Sequence, residues 1–366
     1  MSVLLFFLVL FVLILVHEWG HFIVAKKTGM KVDEFGIGFP PKLFGIKKGE
    51  TEYTFNAIPI GGFVRIWGEN YEDKLELTES EKKDVGRGFT AKPKWAQALV
   101  LIAGVTMNVL FAWFLFSLTY MIGVPTSVDE ASATDSTELY VTAVLPDSPA
   151  AVIPPGAIVT EISGAGETLE KPLASEFTEL IQATAPAVVS VTYIFSGETQ
   201  TVQLEPQQNI APDDASRYVV GASLAMVETI RQPVHLALLN GLVTTGNGLV
   251  GITTGLGSLI KQSVTGEADF SQVAGPVGIV GMVGDAAAFG ITALLTFTAI
   301  ISLNLAVINL LPFPALDGGR LVFVAIESIT KKPIPPTWAG RMNLVGFALL
   351  MILMIAVTYN DIVRLF

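Results

Sequence analysis

The hydrophobic positions of this chain are concentrated in long runs that hold almost no charged residues. Four runs are long enough for a helix that crosses a bilayer, which needs about 20 residues. They predict transmembrane helices at residues 1–24, 96–123, 289–318 and 342–360. The first run could instead be a secretory signal peptide. However, no basic residue precedes it and no small-x-small cleavage site follows it, which favours a membrane helix.

Between the second and third runs, residues 137–227 show the short alternating pattern of β-strands. A β-rich run is followed by a turn at Pro146-Asp147 and by the short helical stretch SPAA. The stretch SVTYIFSGETQTVQLEP predicts a hairpin with Ser-Gly-Glu at its turn. YVVGASL, at residues 218–224, predicts a closing strand. We therefore predict one small β-rich domain here.

Residues 25–95 connect the first two runs. In residues 31–67, short apolar runs alternate with Gly and Pro pairs, which is typical of β-hairpins. Because this stretch is too apolar for an ordinary loop, it predicts a hairpin that dips into the membrane beside the first helix, provided that protein or water satisfies its backbone. Residues 69–94 are highly charged, and we expect them to lie at the surface.

The composition and the distribution of charge support a membrane protein with a defined orientation. Of the 366 residues, 51% are hydrophobic, which is more than soluble domains usually have. Thirteen of the 22 Lys and Arg residues lie in residues 25–95, four in residues 318–341, and only four in the longer segment 124–288. Because basic loops stay in the cytoplasm, residues 25–95 and 318–341 are predicted to be cytoplasmic, and residues 124–288 and both termini to lie outside.

The stretch VHEWGH, residues 16–21, places three polar side chains at the end of the first apolar run. His17 and His21 are four residues apart, so a helix projects both imidazoles from one face. This geometry can chelate one zinc ion, with Glu18 beside it to take a proton from metal-bound water. Burial in a membrane is costly for each of these groups unless it is satisfied. A metal site therefore explains all three better than an interfacial position does.

A catalytic zinc ion keeps three protein ligands and one open position, so a third ligand is needed. The chain has no cysteine and only three histidines. His235 falls on the outer side of the predicted topology and is better explained as an exposed or interfacial histidine. Asp317, in NLLPFPALDGG, reaches a depth similar to that of His17, because the first and third helices run in the same direction. The alternative for Asp317 is a helix cap or a turn.

This topology constrains residues 228–288. Residues 234–260 are uncharged but rich in Gly and Thr. If Asp317 is to meet the histidines, the third helix starts outside, so an even number of crossings must separate it from the second helix. We therefore predict a surface-lying helix or a re-entrant pair in residues 228–288, and not one additional crossing.

Several motifs together carry a resemblance to a known family. HEWGH in the first run, AGVTMN in the second and NLLPFPALDGG in the third resemble the site-2 protease family of intramembrane zinc metalloproteases. EFGIGFPP and IPIGGFVRIWGE resemble its membrane-associated β-hairpin region, and AGPVGIVG resembles the segment that leads into its third transmembrane helix. The resemblance covers nearly the whole chain and is closest to the bacterial regulator-of-sigma-E proteases.

The resemblance implies a fold class and a function. The fold would be a polytopic α-helical membrane protein with about four transmembrane helices, a membrane-associated β-hairpin region and one extracytoplasmic PDZ-like domain. The function would be that of a zinc-dependent endopeptidase of the bacterial inner (cytoplasmic) membrane. Its substrates would be transmembrane segments of single-pass proteins, such as an anti-sigma factor, and its active site would lie near the cytoplasmic side.

The same resemblance assigns roles to individual residues. His17, His21 and Asp317 would hold one zinc ion, and Glu18 would be the general base. The candidates for substrate binding are Asn304, Asn309, Gly61, Gly62 and Phe63. Both asparagines could instead form interhelical hydrogen bonds, and Asn108 in the second run could serve either the site or the packing.

Other roles remain open at this point. The PDZ-like domain could bind a peptide or act as a size filter, and Ala157 replaces part of the Gly-Asp pair frequent in such domains. A membrane receptor with a structural zinc ion is an alternative function, whereas a metal transporter would need more charged residues in its spans. The expected partners are a single-pass substrate, the lipid bilayer and a peptide ligand, but no nucleic acid.

Overall fold

The computed structural model describes residues 1–69, 84–195, 197–208, 216–266 and 274–364. The chain divides into two compact units. The helical unit comprises Met1–Leu118, His235–Ala287 and Ala293–Phe366. The β unit comprises Thr119–Val234 and Ala288–Thr292. Most of the charged stretch predicted at residues 69–94 lies outside the described residues.

Most of the helical residues belong to long apolar helices. In chain order, the helices are α1 Ser2–Lys27, α2 Lys94–Ile122, α3 Ala174–Thr184, α4 Val234–Thr265, α5 Pro276–Ala288, α6 Ile291–Leu310, α7 Asp317–Thr330 and α8 Pro336–Arg364. Within the described residues, α1, α2, α4, α6 and α8 are long and apolar enough to cross a membrane. This set is that of a multi-pass membrane protein, with one candidate span more than the four predicted from the sequence.

The additional candidate is α4, which covers residues 234–265 of the segment 228–288 as one continuous helix. Helix α5 follows it after residues 267–273, which lie outside the described residues. A surface-lying helix or a re-entrant pair in residues 228–288 therefore stays a prediction. One face of α4 packs against α2 and α6. A Cβ atom at Gly241 would lie 2.9 Å from the backbone nitrogen of Ser117, and one at Gly248 would lie 2.8 Å from Leu303. Small residues on α4 thus allow its close approach to α2 and α6.

Three helices of the helical unit meet around the middle of α2. A Cβ atom at Gly20 of α1 would lie 2.7 Å from the Cγ atom of Met107, so glycine allows α1 to approach α2 closely. From the other side, the Ser302 hydroxyl of α6 donates a hydrogen bond of 2.8 Å to the backbone oxygen of Asn108. These contacts bring α1 and α6 against the same stretch of α2.

The predicted hairpin is present as β1, Val32–Lys48, and β2, Thr51–Ile66, which pair antiparallel. The strands are long and curled, so Ile37 lies opposite both Gly62 and Phe55. At the connecting turn, Glu50 accepts hydrogen bonds from Lys26 at 2.5 Å and from Arg87 at 2.9 Å. The hydrogen bond from Lys26, reinforced by Arg87, lowers the pKa of the Glu50 carboxyl group. This ionic contact holds the turn against the end of α1.

A tight turn between α6 and α7 sets the position of the α7 N-terminus. Ala315 has a positive φ of 74°, and a Cβ atom at Gly319 would lie 2.7 Å from the carbonyl carbon of Phe313. The Glu327 carboxylate of α7 also accepts hydrogen bonds from Lys94 at 2.5 Å and from the backbone amide of Ile334 at 2.8 Å. Glycine at the start of α7 and a buried carboxylate near its end therefore hold this helix in place.

At the far end of α8, Asp361 caps α5. Its carboxylate accepts hydrogen bonds from the backbone amides of Gly275 at 3.0 Å and Gly278 at 2.8 Å. These amides are among the donors that a helix leaves unpaired at its N-terminus, where a carboxylate is favourable. The glycine-rich AGPVG stretch is thereby fixed to α8.

The β unit contains the predicted β-rich domain. Its strands are β3 Val124–Ser127, β4 Glu138–Val144, β5 Ile158–Gly164, β6 Glu167–Glu170, β7 Val189–Phe195, β8 Glu198–Leu204 and β9 Ala222–Ile230. The sheet order is β3-β9-β4-β5-β7-β8, and β6 pairs with β5. Phe177 and Leu180 of α3 pack on Val159 and Val191 in its core. The predicted hairpin is β7 and β8, and the predicted closing strand is β9, which begins at residue 222.

Candidate metal centre

The two histidines of the first motif lie on one face of α1. His17 and His21 are buried, each with 8% of its surface exposed. Their Nε2 atoms are 3.0 Å apart. The helical spacing of four residues thus brings the same atom of each imidazole to one point, as the sequence predicts.

Asp317, the first residue of α7, completes this cluster. Its Oδ2 atom is 3.0 Å from Nε2 of His17 and 3.3 Å from Nε2 of His21. These three residues form the group of possible metal ligands found among the described residues, with ligand atoms within 4.8 Å of one another. Residues 300 positions apart in the chain therefore converge, and the structure brings the predicted Asp317 to the two histidines.

The cluster fits a zinc ion by donor chemistry and by spacing. Zinc binds imidazole nitrogen and carboxylate oxygen at about 2.0–2.2 Å, mostly with tetrahedral geometry. In that geometry, ligand atoms lie about 3.3 Å apart, which is close to the observed separations of 3.0–3.3 Å. Three protein ligands would leave a fourth position for water or substrate, as in catalytic zinc sites.

One face of α2 lies directly behind the two imidazoles. Nδ1 of His21 donates a hydrogen bond of 2.8 Å to the backbone oxygen of Val100. The Asn108 side chain lies 3.4 Å from Nδ1 of His17. Gly104 stands midway between them along the helix, and a Cβ atom there would lie 2.7 Å from Cε1 of both histidines. The absence of a side chain at Gly104 makes room for the imidazoles.

Glu18 lies between the cluster and the hairpin sheet. It is partly buried, and a Cβ atom at Gly62 of β2 would lie 3.8 Å from its Cγ atom. Its carboxylate also lies near the backbone amide of Val64. Glu18 therefore stands beside the candidate ligands and is not one of them.

Only some of the remaining predicted site residues lie near the candidate metal centre. Gly61 and Gly62 are buried next to α1, where a Cβ atom at Gly61 would lie 3.4 Å from Ile14. Asn304 donates a hydrogen bond of 3.0 Å to the backbone oxygen of Ile300, so this hydrogen bond lies within α6 and not across helices. Asn309 and Phe63 are partly buried. His235 is exposed at the start of α4, as expected for a residue that is not a ligand.

Sequence reasoning did not find two contributors to this site, Gly104 and the carbonyl group of Val100. A backbone carbonyl gives no signal in a sequence. Gly104 lies in the quoted motif AGVTMN, and a glycine inside an apolar helix is a possible sign of close packing. Val100, Gly104 and Asn108 are spaced by four residues, which places them on one helical face. Only the contacts with α1 show that this face supports the site.

The substitution Gly104→Ala should weaken zinc binding. Its new methyl group would overlap both imidazoles, which would have to turn away from Asp317. We expect a loss of zinc affinity of about 10–100-fold, the range found when the surroundings of a ligand are disturbed. Metal competition with a chelating dye would measure it. Gly246→Ala is the matched control, because a Cβ atom at that glycine would meet no atom of the other described segments within 4 Å. Equal affinities for both variants would contradict the prediction.

Comparison with known proteins gives consistent results. A family model for peptidase family M50 matches residues 5–353 of the chain. A Clostridium perfringens protein named "Putative zinc metalloprotease" is 37% identical over 354 residues, which covers 96% of this chain and 95% of that protein. Proteins named "Zinc metalloprotease RasP" from Shouchella clausii and Oceanobacillus iheyensis are each 30% identical over 439 residues. Both alignments cover 100% of this chain. They cover 100% of the Shouchella clausii protein and 99% of the Oceanobacillus iheyensis protein.

Proposed function

The chain belongs to peptidase family M50, the site-2 protease family, and from this premise we propose that it is an endopeptidase that cuts transmembrane segments of single-pass membrane proteins. Membership identifies the chain as a zinc metalloprotease. The single observation that supports the proposed substrate class is the position of the ligand cluster. His17 and His21 belong to an apolar helix long enough to span a membrane, so the bond to be cut would have to reach that helix.

The proposed catalytic roles follow from the arrangement of the side chains. His17, His21 and Asp317 would hold the zinc ion. When bound, the ion would polarise the scissile carbonyl group and increase the acidity of a neighbouring water molecule. Glu18 would accept the proton from the attacking water and deliver it to the leaving amine. Its place beside the cluster, outside the set of three ligand atoms, supports this division of roles.

The hairpin sheet would present the substrate to Glu18. From Gly62 to Ile66, β2 pairs with β1 on one side, and no strand among the described residues pairs with its other side. Gly62 also lies next to Glu18. A transmembrane helix hides its amide groups in internal hydrogen bonds, so it must unwind before it is cut, and pairing with a strand edge would satisfy the unwound backbone. Asn304, Asn309, Gly61, Gly62 and Phe63 are the proposed substrate contacts.

The distribution of charge supports an orientation for this enzyme. We infer that the protein lies in the bacterial inner membrane with the zinc site near the cytoplasmic side. The β unit would be extracytoplasmic, with residues 137–227 as a PDZ-like domain. In β9, one side of Val227–Ile230 is already paired with β3, which limits the edge left for a bound peptide. On the same side, Ala222–Met226 have no strand partner among the described residues, so peptide binding and a size filter are both proposals for this domain.

Cleavage of a matched pair of substrates tests the proposed substrate class. One substrate is a single-pass protein whose transmembrane segment contains helix-weakening residues, and the other has the same flanks around a polyleucine segment. Purified protein in detergent with zinc should cut the first inside its transmembrane segment, as mapped by mass spectrometry, and should cut the second much more slowly. Cleavage confined to the soluble flanks of both would show a zinc protease of a different substrate class.

A further inference from the structure

Asn108 is a buried polar residue to which the proposed reaction assigns no role. It lies in the middle of α2 with 0% of its surface exposed. Its Oδ1 atom has no hydrogen-bond partner among the described residues. A buried polar atom without a partner costs about 1–3 kcal/mol, so the orientation of this amide needs an explanation.

The nearest polar neighbour of this amide is a candidate zinc ligand. Nδ2 of Asn108 lies 3.4 Å from Nδ1 of His17, while Nε2 of His17 points to Asp317 and His21. A neutral imidazole carries its hydrogen on only one nitrogen. If Nε2 gives its lone pair to zinc, Nδ1 must carry the hydrogen and needs an acceptor. A half turn of the Asn108 amide exchanges Nδ2 and Oδ1 and places an acceptor beside Nδ1.

The other histidine shows the same arrangement already formed. Nδ1 of His21 donates to the backbone oxygen of Val100 at 2.8 Å, which leaves its Nε2 free for the metal. Val100 and Asn108 are eight residues apart, two turns along the same face of α2. Hydrogen bonds of this kind fix the tautomer and the orientation of metal-binding histidines, and their loss typically costs about 10–100-fold in metal affinity.

We propose that Asn108 is the positioning residue for His17, accepting the hydrogen bond of Nδ1 through Oδ1 and so presenting Nε2 to the metal. The proposal rests on the zinc-ligand role of His17 in the proposed function. Asn108 acts through His17 and does not itself touch the metal. The Val100 carbonyl and the Asn108 amide then form a pair of acceptors on α2, one for each imidazole, with Gly104 between them.

Zinc affinity of two Asn108 variants tests the proposal. Asn108→Leu keeps a similar volume but removes the acceptor, and Asn108→Asp keeps an acceptor oxygen. In the full chain in detergent, we expect the zinc dissociation constant to rise about 10–100-fold for Asn108→Leu and to stay within about threefold of the wild-type value, or to fall, for Asn108→Asp. With cobalt in place of zinc, the visible spectrum should change in Asn108→Leu and be preserved in Asn108→Asp.

Ser302→Ala is the matched packing control. The Ser302 hydroxyl binds the backbone oxygen of Asn108 in the same buried interface, so this variant disturbs the packing but leaves the amide. Wild-type zinc affinity in Asn108→Leu, or equal losses in Asn108→Leu and Asn108→Asp, would overturn the proposal. A loss in Ser302→Ala as large as that in Asn108→Leu would also overturn it. Failure of the proposed function would look different, because the wild-type protein itself would then bind zinc without cutting transmembrane substrates.

Discussion

Glu18→Gln should lower the cleavage rate by about 10²–10⁴-fold, the usual contribution of a positioned general base. Glutamine has nearly the same shape as glutamate but cannot accept the proton of the attacking water at neutral pH. Because Glu18 is not one of the three clustered ligand atoms, the variant should bind zinc as the wild type does. The measurement is kcat for a transmembrane substrate, together with the zinc content of the same preparation.

The control for this prediction is the same chemical change made elsewhere. Glu167→Gln alters an exposed residue of β6 in the β unit, so its kcat should equal the wild-type value. If Glu18→Gln cut the substrate at the wild-type rate, Glu18 would not be the base. If it lost its zinc, Glu18 would have to be assigned to the metal site and not to proton transfer.

Asp317→Asn should produce a protein that no longer retains zinc. Asparagine keeps the size of the side chain, but its neutral amide oxygen is a much weaker ligand than a carboxylate. Loss of a partner that only orients a ligand costs about 10–100-fold in affinity, so loss of a ligand should cost at least about 100-fold. Metal analysis after dialysis against a weak chelator measures this, and cleavage should be lost in parallel.

Two further variants serve as controls for the Asp317→Asn prediction. Asp135→Asn changes an exposed aspartate of the β unit and should leave zinc content unchanged. In addition, Asp317→Glu restores a carboxylate on a longer side chain and should recover part of the zinc affinity. Full zinc retention by Asp317→Asn would mean that His17 and His21 bind the ion without α7, and the three-ligand site would be wrong.

The local features of the site could be predicted from the sequence because they depend on short spacings. Two histidines four residues apart share a helical face wherever the helix lies, and the uncharged run before them predicts that helix. The prediction of Asp317 depends on more steps, from charge asymmetry to topology and from topology to membrane depth. The structure brings Asp317 to the two histidines, whereas its depth in a membrane stays a prediction.

The features that the sequence did not predict depend on packing between distant segments. The sequence left residues 234–260 open between a surface-lying helix and a re-entrant pair, whereas the close packing of α4 on α2 and α6 depends on Gly241 and Gly248. The acceptor provided by Val100 is a backbone atom, so no residue type could have marked it.

The distance along the chain between α1 and α7 has a consequence for how the molecule is held together. A zinc ion shared by His17, His21 and Asp317 would join residues 300 positions apart, and thus act as a reversible cross-link. Closing so large a loop restricts an unfolded chain much as a long-range disulfide does, by about 5–6 kcal/mol in the chain-entropy description. The protein has no cysteine. The zinc ion that activates the water would therefore also link the first helix to a segment that is synthesised much later.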